Sequence, residues 1–212
     1  MNKSILFDLD GTLTDSGPGI LNCAALALEY FGLPVPSREE LRVFVGPPLQ
    51  DTFVKFGVPA ERTNEAISVF RSRYLPIGIF ENEPYPGIRD LLETLQAEGY
   101  TLYVATSKLE SAAVQVLEHF DLARYFHRIC GANADSSRST KEDVIAYLIA
   151  QNGCTDNMIM VGDTKYDVIG AKEHGIPCIG VSWGYGKVTD MLDAGACAIA
   201  NTMEELLEFL RK

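Results

Sequence analysis

Positive charge is scarce in this chain. Its 18 lysines and arginines stand against 29 aspartates and glutamates, a formal net charge of −11. That balance argues against nucleic acid or an anionic membrane as partner, because both are held by basic patches. It leaves room for a small anionic substrate if cations are gathered at one point. No apolar run approaches the ~18 residues of a membrane-spanning helix. The opening Met1-Asn2-Lys3 leads into an apolar segment carrying aspartates, which is not the pattern of a secretory signal. The five cysteines, Cys23, Cys130, Cys154, Cys178 and Cys197, are odd in number and form no Cys-x-x-Cys. They read as free, mostly buried thiols in a reducing, cytoplasmic compartment. No His/Cys cluster has zinc-ligand spacing, and neither a Walker A loop nor a dinucleotide glycine fingerprint occurs. Internal repeats and low-complexity tracts are also missing.

What the chain does have is a recurring alternation. Apolar, β-branched runs lie at 4–8, 101–106, 128–131, 157–162, 177–182 and 197–200, with helical patterns at 87–98, 109–120, 139–151, 165–174, 187–194 and 202–211. Gly99 and Gly153 supply helix stop signals. Strands alternating with helices predict a parallel α/β sheet covered on both faces. Residues 16–84 break the pattern, with helical periodicity at about 18–32, 37–44, 48–56 and 61–78 and no convincing strand. Pro18 and Pro84-Tyr85-Pro86-Gly87 bracket this segment. The expected organisation is a core of residues 1–15 and 85–212 with a helical insertion at 16–84, placed to cover a site and exclude water.

The first strand ends in Asp8-Leu9-Asp10-Gly11. On an extended strand the i, i+2 spacing puts both carboxylates on one side, at the carboxyl edge where α/β sheets place ligands. Two such charges repel, and a divalent cation or a lysine is the usual remedy. A calcium loop is excluded: counted from Asp8, the glycine falls at position four and position twelve is Gly19. Asp163 ends a later strand in Gly162-Asp163-Thr164-Lys165-Tyr166-Asp167, with Asp167 one helical turn on. Four carboxylates at strand ends form an oxygen-rich set suited to Mg²⁺. Thr106-Ser107-Lys108 follows the second strand and could bind an anion, and Lys141 stands at a helix start, where its charge opposes the dipole. Each has a plainer reading alone: Asp163 as a helix cap, Thr106 and Ser107 likewise, Lys141 as a surface lysine. Gly180-Val-Ser-Trp-Gly184 matches an esterase elbow, but His119, His127 and His174 all precede it, whereas that fold needs its histidine later.

Taken in order, Asp-Leu-Asp-Gly-Thr-Leu-Thr, the strand ending in Thr106, Lys141, and Gly162-Asp163-Thr164-x-x-Asp167 resemble the four motifs of the haloacid dehalogenase-like (HAD) hydrolases. The resemblance spans essentially the whole chain. The helical insertion is similar to the C1 cap of the phosphoglycolate-phosphatase-like branch, as are Gly46-Pro47-Pro48-Leu49 and Val181-Ser-Trp-Gly-Tyr-Gly186. It implies a Rossmann-like three-layer parallel sheet with an inserted all-helical cap. It implies Asp8 as nucleophile, forming an aspartyl-phosphate, and Asp10 as the acid and base that serves the leaving group and then water. It implies Mg²⁺ held by Asp8, the Asp10 carbonyl and Asp163, with Asp167 supporting from behind. Thr106, Ser107 and Lys141 would hold the phosphoryl oxygens. Two positions depart from the family pattern: Ser107 where many relatives have asparagine, and Glu142 where many have proline. The first bears on a phosphate contact and the second on whether phosphoglycolate is the substrate.

The resemblance implies a cytoplasmic, Mg²⁺-dependent phosphatase acting on a small phosphorylated metabolite: phosphoglycolate, a nucleoside 5′-monophosphate or a sugar phosphate. A phosphomutase and a non-catalytic regulatory module are the alternatives. A monomer or weak homodimer is expected. Specificity would lie in the insertion, whose cations are Arg38, Arg42, Lys55, Arg62, Arg71 and Arg73 and whose Tyr74, Phe80 and the adjoining Tyr85 could line an entrance.

Overall fold

The computed structural model describes residues 4–135, 137–152 and 157–212. Gly153 and Cys154, given roles above, lie outside the described residues. The first strand is β1 (Ser4–Phe7), followed by the short β2 (Thr14–Asp15). Four helices come next: α1 (Gly17–Tyr30), α2 (Arg38–Leu41), α3 (Leu49–Lys55) and α4 (Thr63–Tyr74). The chain returns through β3 (Glu83–Pro84) to α5 (Ile88–Ala97), β4 (Thr101–Leu109), α6 (Glu110–His119) and β5 (Arg128–Ala132). It ends with α7 (Lys141–Asn152), β6 (Met158–Gly162), α8 (Lys165–Lys172), β7 (Cys178–Val181), α9 (Val188–Ala194), β8 (Ala198–Ala200) and α10 (Met203–Leu210).

Six parallel strands form one sheet in the order β5-β4-β1-β6-β7-β8. Strand alternation explains the layers. Ile5 and Phe7 of β1 point into an apolar cluster with α5, α6 and α10, whereas Leu6 points into a second cluster with α7, α8 and α9. A strand buried on both faces has no polar side to show, which is why residues 4–7 read as an apolar run. The chain leaves β1 for β4 and β5 on one side, then returns to β6 on the other. The strand order therefore reverses between β1 and β6, and ligands of such sheets gather outside the carboxyl ends at that point.

The helical segment has its own aromatic interior. Phe53 is fully buried, with ring centroids 5.0 Å from Phe44 and 6.4 Å from Phe70, and Phe70 stacks on Tyr74 at 5.1 Å. Its entry and exit pair with each other: β2 and β3 form a two-residue antiparallel ribbon. This ribbon escapes a sequence reading because it is shorter than any periodicity and ends in a proline.

Phe53→Ala removes the centre of the aromatic cluster and is expected to lower stability by about 3–5 kcal/mol. Thermal unfolding followed by circular dichroism should show a melting temperature lower by roughly 6–20 °C.

Candidate active site

The strand-alternation argument for Asp8 and Asp10 meets a correction. β1 ends at Phe7, one residue before the expected limit, and only the Asp8 N–H still donates to the neighbouring strand, to the Val161 carbonyl at 2.9 Å. Beyond it the chain turns: the N–H groups of Thr12, Leu13 and Thr14 all point back to the Leu9 carbonyl. Gly11 makes this possible at φ +86°, a conformation costly for other residues. Asp8 and Asp10 thus line one cavity but face different partners.

Asp8 faces Lys141. The lysine ammonium lies 2.8 Å from Asp8 Oδ1 and 2.7 Å from Asp167 Oδ1, and it donates to the Ala105 carbonyl at 2.7 Å. Lys141 opens α7 yet its side chain is only 4% exposed, which removes the surface-lysine reading. Burial alone would lower its pKa, but Asp167 and Asp8 outweigh that and raise it, so it stays charged. The Leu9 N–H also donates to Asp8 Oδ1, at 2.7 Å. Burial lifts the Asp8 carboxyl to about 6, against the pull of Lys141 and with the push of Asp167.

Asp163 ends β6 at the switch point and is fully buried. It accepts from the Tyr185 N–H at 2.8 Å and the Thr12 hydroxyl at 3.3 Å. Burial first, then Asp167 and Asp8, push its pKa well up. A Cβ at Gly184 would collide with the Asp163 side chain and the Gly11 carbonyl, so glycine there lets the 182–186 loop close on the carboxylate. Thr164, rather than Asp163, caps α8, in a capping box with Asp167. Asp167 Oδ2 accepts from Thr164 N–H at 3.0 Å and from its hydroxyl at 2.8 Å.

Asp8, Asp163 and Asp167 present oxygens within 4.8 Å of one another, all buried. One ammonium cannot balance three carboxylates, and Asp167 adds its push to the burial that raises both Asp8 and Asp163. The donor set is all oxygen, which fits a hard divalent cation. Asp167 is tied to the Lys141 ammonium and to Thr164, whereas the Asp163 oxygens accept from two neutral groups, the Thr12 hydroxyl and the Tyr185 N–H.

Asp10 lies outside this trio. Its two oxygens accept from Lys108 Nζ at 2.8 and 2.9 Å, and Lys108 also hydrogen-bonds the Tyr74 hydroxyl of α4. Lys108 carries no separate assignment in the sequence reading. The pairing of Asp8 and Asp10 calls for an offsetting cation but does not say which lysine supplies it. β4 runs on to Leu109, past the expected end at 106, with an irregular register between Ala105 and Leu109 that puts Thr106, Ser107 and Lys108 against the cavity. Thr106 is buried, and its hydroxyl accepts from the Lys108 N–H at 3.3 Å.

The cavity is about 180 Å³, with Asp8 and Asp10 at one end and an apolar wall of Phe44, Pro47, Ile67 and Phe70 from the helical segment. Arg71 and Gln50 reach it too. Arg38, Arg42, Arg62 and Arg73 are held by other groups, and Lys55 is exposed. Tyr74 lines the cavity, whereas Phe80 is exposed against His119 and Tyr85 packs on Trp183. Trp183 donates to the Thr12 carbonyl at 3.2 Å, and the Ser182 hydroxyl donates to Asn201 Oδ1 at 2.9 Å rather than to a histidine.

Known proteins match this arrangement. Residues 5–181 match the family described as haloacid dehalogenase-like hydrolase. A Pseudomonas aeruginosa protein named 5′-nucleotidase is 40% identical over 190 residues, 89% of this chain and 86% of that protein. A Mycobacterium tuberculosis protein named tyrosine-protein kinase PtkA is 41% identical over 210 residues, 97% of this chain and 72% of that protein. The crystal structure of a predicted phosphatase from Clostridium acetobutylicum superposes with a TM-score of 0.96 at 42% identity, covering 100% of this chain and 99% of that one.

The raised Asp8 has a signed consequence for the metal-free protein. The stability it contributes is fully present below its ordinary value near 3.8 and is lost as pH rises through about 6. At pH 7.5 in EDTA, Asp8→Asn should therefore melt at or above wild type, by the equivalent of about 1–3 kcal/mol. The gap should shrink as pH falls to 5, which differential scanning fluorimetry across pH will read. Divalent cation should raise the wild-type melting temperature and leave that of Asp163→Ala unchanged.

Proposed function

The chain belongs to the haloacid dehalogenase-like hydrolase family, and we propose that it is a Mg²⁺-dependent phosphatase that hydrolyses a small phosphate monoester through an aspartyl-phosphate on Asp8. The observation that carries this reading is the pairing of two carboxylates in one cavity with separate partners: Asp8 held by Lys141 and Asp10 held by Lys108. One is fixed for attack, and the other stands near it without belonging to the buried acidic trio. Residues 1–15 and 85–212 act as the catalytic core, with residues 16–84 as its cap.

In the proposed reaction an Asp8 carboxylate oxygen attacks phosphorus, and the bond from phosphorus to the substrate oxygen breaks. Asp10, protonated at that moment, gives its proton to the departing oxygen. The resulting Asp10 carboxylate then takes a proton from water as the water oxygen attacks the phosphorus, and the bond to Asp8 breaks with release of phosphate. Lys141, Thr106 and Ser107 steady the equatorial oxygens, and Asp167 keeps Lys141 in place. Asp8, the Asp10 carbonyl and Asp163 would hold Mg²⁺, which supplies neutralising charge to the phosphoryl oxygens. The apolar wall of Phe44, Pro47, Ile67 and Phe70 limits bulk water at the carboxylates, so transfer to unwanted acceptors is limited.

The substrate class is a small monoester: phosphoglycolate, a nucleoside 5′-monophosphate or a sugar phosphate. A cavity of about 180 Å³ suits a metabolite better than a folded protein surface. The deciding experiment is phosphate release from a panel of these esters and an aryl phosphate, with Mg²⁺ or EDTA, beside radiolabelled transfer from ATP to a tyrosine peptide. Metal-dependent release that Asp8→Asn abolishes is the expected outcome. Peptide labelling without ester hydrolysis would overturn the phosphatase reading, and activity retained in Asp8→Asn would overturn the nucleophile.

A further inference from the structure

The face of α4 turned to the cavity carries a single charge. Ile67, Phe70, Arg71, Tyr74 and Leu75 all line the cavity, and their spacing puts them on one stripe of the helix. Arg73 leaves that stripe and is taken by Glu81 at 2.7 Å. Arg71 has no such partner. Among the described residues it is the one arginine with neither an ion pair nor a hydrogen bond, in a chain with 29 acidic residues. Its neighbours one helical turn away are Ile67, Ser68, Tyr74 and Leu75, so α4 itself offers it no carboxylate. The two lysines at the reacting carboxylates are engaged already, Lys108 with Asp10 and Lys141 with Asp8 and Asp167. The rings of the same wall are also engaged. Phe44 packs on Phe53 and Phe56, each with centroids 5.0 Å away, and Phe70 stacks on Tyr74. Phe44 is 2% exposed and Phe70 3%, so neither presents an open face on which a nucleobase could stack.

We propose that Arg71 selects the substrate by binding a second anionic group, a carboxylate or a further phosphate, carried a few bonds from the phosphoryl group that reacts. The inference rests on the phosphatase reading and narrows it to esters that are anionic at both ends. A guanidinium keeps its charge at any working pH and presents a planar fork that fits either oxyanion with two N–H donors. Apolar neighbours on the same stripe lower the screening of such a pair, and no acid of the chain competes for it. The net charge of −11 repels a multiply charged anion, so an unpaired cation on the cavity wall is the feature that admits one. The cavity of about 180 Å³ keeps the two anionic ends close together.

The test compares short esters that differ in the second group: 2-phosphoglycolate with a carboxylate, ethylene glycol bisphosphate with a phosphate, and 2-hydroxyethyl phosphate with neither. With Mg²⁺ present, wild type should prefer an anionic ester to the neutral one by about tenfold or more in kcat/KM, and the better of the two identifies the second group. Arg71→Met keeps most of the side-chain stem and should lower kcat/KM on that ester by about 10–100-fold, chiefly through KM. Turnover of 2-hydroxyethyl phosphate should stay within about threefold of wild type, because that ester makes no use of the guanidinium. Arg71→Lys should recover part of the loss, since it restores the charge without the fork. Binding is read separately by calorimetry: phosphonoacetate should bind wild type more tightly than ethylphosphonate, and Arg71→Met should erase the difference. Absence of any preference for an anionic ester, or a better turnover of nucleoside monophosphates, would overturn the proposal. Equal losses on charged and neutral esters in Arg71→Met would also overturn it, and would assign the guanidinium to the reacting phosphoryl group. Hydrolysis of none of the esters would strike the phosphatase reading beneath, and the phosphonate comparison would still decide whether Arg71 binds a second anion.

Discussion

Everything at the carboxyl edge of the sheet depends on one buried ammonium. Lys141 stands 2.8 Å from Asp8 and 2.7 Å from Asp167, and these carboxylates could not share so small a space without it. A lysine this deep would itself be costly if both partners were missing. The arrangement is mutual, and it fixes the geometry of three elements at once: the end of β1, the start of α7 and the first turn of α8. The Ala105 carbonyl takes the third donor and ties β4 into the same knot. A rigid constellation of this kind is what phosphoryl transfer asks of a protein, since positioning and charge neutralisation carry most of the work.

The second lysine has a different setting. Lys108 bridges a carboxylate of the turn after β1 and a phenol at the end of α4, so it belongs to no single layer. Burial would lower its pKa, yet Asp10 and Tyr74 outweigh that and raise it. The site therefore holds two cation-centred groups, one tied to the sheet and its helices and the other shared with α4. Burial lifts Tyr74 to about 12, so at neutral pH the phenol keeps its proton and adds no further charge.

Much of this was legible in the sequence because burial writes itself plainly there. An apolar run that stops at a carboxylate, as at Asp8 and Asp163, marks a buried strand handing over to a polar edge. The six strands and the helices between them follow from the same alternation, with ends displaced by a residue or two except at β4, which runs three residues on. What stayed hidden depends on three-dimensional contact. Lys108 looks like any lysine in a polar turn until Asp10 and Tyr74 arrive from elsewhere in the chain. That β4 runs on through Leu109 comes from its irregular pairing with β5, which no local propensity records. Among the helical segment's cations, sequence could not separate Arg71, which reaches the cavity, from Arg73, which pairs with Glu81 at 2.7 Å.

The two-residue ribbon of β2 and β3 has a consequence of its own. Thr14 faces Pro84 and Asp15 faces Glu83, so the helical segment departs and returns through a single doorway. Whatever lies between those strands leaves the register of the sheet untouched, and the entropy of closing a longer or shorter excursion changes only slowly with its length. The helical segment is thus exchangeable in one piece, like a fitting on a standard socket. Asp8 and Asp10 stay where they are, and a replacement would have to supply anew the cavity wall of Phe44, Ile67 and Phe70 and the Tyr74 hydroxyl.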